Sequence, residues 1–326
     1  KGLEILHENA VVSAAYDAEQ RFPPPNCHPG TRIETLETLR NWVNNSTKAN
    51  PIIYWLYGAA GVGKSAIAQT ICEEFADTQL AASFFFSRAD TTRNHLQHFF
   101  TTIALRLVTS HTLGPILSEY IDLIIRRNRS IVHANLERQF QELIAKPCYR
   151  LTVEQWKELP QLIVIDGLDE CVDISSQERL LSIICEAKLG SMVPFKFLIC
   201  SRPEPRICNA FNHQDFHTLV TRSDLGEAFQ SSNDIAKYLC KEFDRIQQDH
   251  GPTMAHVPKD WLGKEIVQLL VQRACGQFIY ATTVLKYVGN YHSLPTEQLD
   301  IILNITVPED YDSPYPDLDL LYLQIL

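Results

Sequence analysis

Eight residues, Gly58-Ala59-Ala60-Gly61-Val62-Gly63-Lys64-Ser65, stand between an apolar run, Ile52 to Tyr57, and an amphipathic one, Ala66 to Phe75. The order reads as strand, glycine-rich loop and helix. Glycines let consecutive backbone N–H groups wrap a phosphate at a helix N-terminus, where the dipole favours negative charge. The spacing G-x-x-x-x-G-K-S adds a lysine that can reach the β- and γ-oxygens and a hydroxyl that can ligate Mg²⁺. Lys64 and Ser65 occupy those positions, so the chain carries a candidate nucleotide cradle over Gly58 to Ser65. The plain alternative is a glycine turn beside a solvated lysine.

A second apolar, β-branched run, Leu162 to Ile165, ends in Asp166-Gly167-Leu168-Asp169-Glu170. A carboxylate at the carboxyl end of a buried parallel strand can hold Mg²⁺ beside the Ser65 hydroxyl, which assigns that part to Asp166. Asp169 and Glu170 lie just past the strand end, where a carboxylate can polarise an attacking water. The plain alternative is that they are capping acids of the next helix. A third run, Phe195 to Cys200, is followed by Ser201-Arg202-Pro203. Proline cannot continue a central strand, so Arg202 leaves from the sheet edge on which open α/β sheets bind ligands. It is a candidate γ-phosphate sensor, or else a loop arginine paired with a nearby carboxylate.

The combination of Gly58–Ser65, Asp166–Glu170 and Ser201–Pro203 resembles the NACHT domain of the STAND class of P-loop NTPases. The flanks, Cys27-His28-Pro29-Gly30-Thr31-Arg32, Ser83 to Arg88 and Gly276 to Ala281, resemble fungal members. The resemblance runs from about Ala14 to the C-terminus. It implies an NLR-like signalling switch, with ATP or ADP (GTP or GDP in some members) and Mg²⁺ as ligands, slow hydrolysis and self-association on activation. It also implies an N-terminal effector domain, a C-terminal repeat sensor and a cytoplasmic, innate-immune setting. In relatives the backbone before the loop packs on the base, which here points to Gly30, Thr31 and Arg32; Thr31 as a helix N-cap is the competing reading. One departure is Phe278, which stands where many relatives have the proline of a G-x-P element.

Composition sets the frame for these elements. The 326 residues are 45% hydrophobic and 21% charged, ordinary for a globular chain with room for two compact units. A net charge of −10 argues against general binding to phosphate backbones. Arg126-Arg127-Asn128-Arg129 reads as a solvated helix end. Nine cysteines without a C-x-x-C pair indicate free thiols, and the His95/His98 and His213/His217 spacings lack companion metal ligands. No run of about 18 apolar residues marks a membrane span.

The expected fold is α/β, an AAA+-related open parallel sheet of about five strands with helices on both faces, followed by a small helical domain. Strands are expected at Ile52–Tyr57, Ala82–Phe86, Leu162–Ile165, Phe195–Cys200 and Asp215–Thr221, with a helical insertion after the second. Helices are expected at Ile235–Ile246, Lys259–Cys275, Phe278–Tyr291 and Pro295–Leu303, forming a unit able to close over a nucleotide. The domain limits read as an entry segment over 1–32, a nucleotide domain over 33–225, a helical domain over 226–305 and the start of a truncated winged helix over 306–326. The amphipathic pattern stopping at Leu326 suggests a longer protein. Besides the switch, two other functions fit these residues: an AAA+-type mechanochemical ATPase with continuous turnover, and a module locked around ADP.

Overall fold

The computed structural model describes residues 1–45, 51–189, 193–226, 228–258, 261–308 and 311–325. They divide into two compact units, one of residues 1–26, 34–58 and 64–224, the other of residues 27–33, 59–63 and 225–326.

The first unit is built on five parallel strands: β1 (Ile53–Tyr57), β2 (Leu80–Phe85), β3 (Leu162–Asp166), β4 (Lys196–Ser201) and β5 (Val220–Asp224). Their order across the sheet is β2-β3-β4-β1-β5. Every residue of β2, β3 and β4 is buried, as expected of a parallel sheet covered on both faces. Because side chains alternate, Ile53, Trp55, Ile163, Ile165, Phe197 and Ile199 turn to one face and join an extensive apolar cluster. Phe99, Ile103 and Leu107 from the helix Phe99–Thr109 enter that cluster, with Leu117, Ile121 and Ile125 from the helix Gly114–Arg127. The latter helix ends on Arg126 and Arg127, the cationic end read from the sequence. The other face receives the helix Lys64–Phe75 through Ile67, Ile71 and Cys72, all fully buried.

The expected fifth strand is displaced. Gln214–Phe216 is a single 3-10 turn, and the strand begins at Val220, where it pairs with Ile53 of β1. β5 is an edge strand that alternates between half-buried and exposed, so it lacks the continuous apolar run that marks the inner strands.

The first 26 residues are an integral part of this unit. Leu6, Val11 and Ala14 lie in its core. The Gly2 and Leu3 amides donate to Asp122 Oδ1, the Val11 amide to Thr102 Oγ1, and the Tyr16 amide to Ser83 Oγ.

The second unit contains the helices Ala228–Asp249, Gly263–Ala274, Phe278–Val288 and Pro295–Leu303, close to the four expected. The second starts later than Lys259, which lies outside the described residues, and the third stops at Val288 before Gly289 and Asn290. Leu239, Phe243, Leu270, Tyr280, Val284 and Ile302 make its core, and Leu321 of a further helix, Pro316–Ile325, joins them. Among the described residues no helix is long and apolar enough to cross a membrane.

Candidate functional site

The carboxyl ends of three neighbouring strands stand level. Tyr57 of β1 pairs with Ser201 of β4, and Asp166 of β3 pairs with Cys200. β1 therefore runs into the glycine loop, β3 delivers Asp166 and β4 delivers Arg202 at one edge of the sheet. In the first unit, Gly58 follows the last residue of β1, and the helix carrying Lys64 and Ser65 begins at Lys64.

Asp166 is 5% exposed. The Ser65 side chain lies beside its carboxylate, while Oδ1 is buried with no partner. Burial pushes its pKa up to about 6, against the Ser65 hydroxyl and the nearby charges of Arg21 and Lys64, which favour the ionised form; Glu170 adds to the upward push. A buried carboxylate oxygen with an unused lone pair, next to a hydroxyl, is a donor set suited to a hard divalent cation. Lys64 Nζ donates to the Gly58 carbonyl at 2.8 Å, and burial lowers its pKa while Asp169 and Asp166 raise it.

Asp169 and Glu170 follow on a 3-10 turn, Leu168–Glu170. Asp169 is 4% exposed; its Oδ1 accepts the Arg202 amide at 2.9 Å and its Oδ2 lies 3.2 Å from Arg202 Nε. The two residues proposed from the sequence for separate roles are thus bonded to each other, the carboxylate pairing weighed as the plain reading of Arg202. Glu170 Oε2 accepts the Arg88 amide at 3.0 Å, and Arg88 Nη2 donates to the Asp169 carbonyl at 3.0 Å.

Arg88 was visible in the sequence only within a flank motif. Arg21 carried no signal there. It donates to Gln69 Oε1 on the helix Lys64–Phe75, and its guanidinium lies 3.6 Å over the Phe85 ring. Phe85 and Asp166 are register partners, so their side chains leave the same face.

In the second unit, Gly61 and Gly63 have φ of 74° and 96°, and Val62 between them does not. Alternation of ordinary and left-handed residues turns successive N–H groups to one concave side, a nest for an anion. Gly30 has φ of 86°. The Thr31 hydroxyl donates to the His28 carbonyl at 2.7 Å, closing the turn before Arg32. Arg32 is 4% exposed; it bonds Ser231 Oγ and the Val62 carbonyl, and its amide bonds Asp234 Oδ2. Ala59 and Ala60 complete the loop.

The parallel sheet with this strand order, and a glycine loop leaving its β1 strand for a helix that starts with Lys-Ser, define a P-loop NTPase-like fold. The family described as Nephrocystin 3, N-terminal, matches residues 30–202. The chain belongs to that family. No curated protein matches it.

Proposed function

We propose that this chain is a nucleotide-operated switch of the NACHT type, binding ATP or ADP with Mg²⁺ and hydrolysing ATP slowly. The observation that carries the reading is Asp166, a buried carboxylate at the end of β3 beside Ser65 of the post-loop helix, with an oxygen that has no partner. Ser65 and Asp166 would hold the Mg²⁺, and the Gly58–Ser65 amides with Lys64 would hold the phosphates. The bound nucleotide supplies the γ-phosphoryl group whose transfer to water is the reaction. Glu170, on the turn after β3, would take the proton of the attacking water, and Asp169 holds Arg202 through its backbone amide and side chain.

The Asp169–Arg202 pair favours a switch over a continuously cycling AAA+-type motor, because two groups that neutralise each other are held back from the chemistry. Fungal STAND membership, self-association, effector and sensor neighbours, and a cytoplasmic location belong to the same proposal. GTP is the alternative nucleotide. The decisive experiment releases co-purified nucleotide by heat, identifies it by chromatography, and titrates ATP, ADP and GTP calorimetrically with and without Mg²⁺. Binding of none of them to the folded protein would refute the reading.

A further inference from the structure

The middle of the glycine loop is held by hydrogen bonds to its carbonyls, all within the second unit. The Ile279 amide, in the first turn of the helix Phe278–Val288, donates to the Gly61 carbonyl at 3.1 Å. Arg32 Nη2 donates to the Val62 carbonyl at 2.7 Å. A trans peptide is planar, so the N–H that follows a carbonyl leaves on its opposite side. Binding the Gly61 and Val62 carbonyls therefore aims the Val62 and Gly63 N–H groups away from Ile279 and Arg32. Those two N–H groups belong to the nest that the positive φ values of Gly61 and Gly63 create.

The clamp is rigid on its far side as well. Arg32 sits at φ of 55°, a left-handed conformation that a side-chain-bearing residue adopts only when its surroundings hold it there. Its amide is fixed by Asp234 Oδ2 at 2.9 Å and its Nη1 by Ser231 Oγ at 3.1 Å, with Asp234 and Ser231 themselves buried. Its guanidinium lies 4.9 Å from the Phe278 ring centre. At Gly61 the packing is close enough that a Cβ would come within 2.3 Å of Ile279 Cγ2. A peptide flip there would lose the Ile279 bond.

We propose that Arg32 and the Ile279 amide are positioning groups that set the anion-binding orientation of the loop, Arg32 acting through the Val62 carbonyl and not through the nucleotide base. The inference rests on the nucleotide reading above. It differs from a base-contact role in one measurable respect. A base reader matters only to ligands that carry a base, whereas a loop positioner matters to the phosphate chain alone.

The test uses the full chain and two probes, Mg²⁺–ATP and inorganic tripolyphosphate, measured by calorimetry alongside the unfolding midpoint. Arg32→Met is expected to weaken both probes by the same factor, tenfold or more, with Arg32→Lys recovering part of the loss through one remaining donor. Ile279→Pro removes a single N–H in the first helical turn, where proline is tolerated, and should also weaken both probes. Loss of ATP with unchanged tripolyphosphate in Arg32→Met would make Arg32 a base reader and overturn the proposal. Unchanged affinity for both probes in Arg32→Lys and Ile279→Pro would overturn it even if Arg32→Met fails to fold. Wild-type protein that binds neither probe would refute the nucleotide reading itself, a result distinct from the others because in them the wild type still binds.

Discussion

Asp169 and Arg202 form an ion pair whose two ends should contribute unequally. Arg202 is 45% exposed at its side chain, so its charge is screened and removing it in Arg202→Ala should cost about 0–1 kcal/mol. Asp169 is 4% exposed and accepts the Arg202 backbone N–H, which stays in place whatever side chain residue 202 carries. Asp169→Ala takes away that acceptor, and a partly buried N–H left without a partner costs about 1–3 kcal/mol. Asp169→Asn keeps an oxygen at the same place and should fall between the two. The expected order of destabilisation is Asp169→Ala, then Asp169→Asn, then Arg202→Ala. Urea unfolding followed by tryptophan emission reads it in a Trp261→Phe background, since the other three tryptophans, Trp42, Trp55 and Trp156, all lie in the first unit. If Arg202→Ala proves as costly as Asp169→Ala, the carboxylate serves the guanidinium and not the amide, and the reasoning fails.

Lys64→Ala should weaken nucleotide binding by tenfold or more, because a charge-assisted phosphate contact contributes about 1.5–3 kcal/mol; calorimetry on the folded variant checks it. Glu170→Gln should lower ATP turnover in a phosphate-release assay while leaving ATP affinity near wild type, and equal loss of both would place the residue in ground-state binding. Asp166, with a folded pKa of about 6 against an ordinary 3.8, holds its proton where the unfolded chain has released it. Stability of the nucleotide-free, chelator-treated protein should therefore fall between about pH 4 and about pH 6, by up to about 3 kcal/mol, and Asp166→Asn should flatten that decline in thermal melts across pH.

Four of the five strands were legible because largely buried parallel strands read as mostly apolar runs, three of them followed within a few residues by Gly, Asp or Pro. β5 was not, since an edge strand such as Val220-Thr221-Arg222-Ser223-Asp224 is half solvated and its extent is set by pairing with β1. The glycine loop, Asp166 and Arg202 could be picked out by type and spacing, and a carboxylate beside Arg202 could be expected, but not which one. Arg202 meets Asp169 across 33 positions and Arg32 meets Asp234 across 202, distances over which local pattern carries no information. Arg21 was invisible for the same reason, its partners being Gln69 and the Phe85 ring on other elements.

The amino-terminal stretch bears on where this domain can be cut. The family match opens at residue 30, but a protein trimmed there would lose Leu6, Val11 and Ala14 from the interior. It would also strip the amides from Thr102, Ser83 and Asp122, and the guanidinium of Arg21 from Gln69 on the helix that begins with Lys64 and Ser65. Each such loss adds an apolar scar or an orphaned acceptor to the first unit. Fragments for expression, and any fusion meant to report on nucleotide binding, should therefore begin at or before Gly2. The same end is tied twice to the helix Lys64–Phe75 through Gln69, which accepts from Arg21 and donates to the Tyr16 carbonyl, so a load applied there would be felt by the helix that carries Lys64 and Ser65.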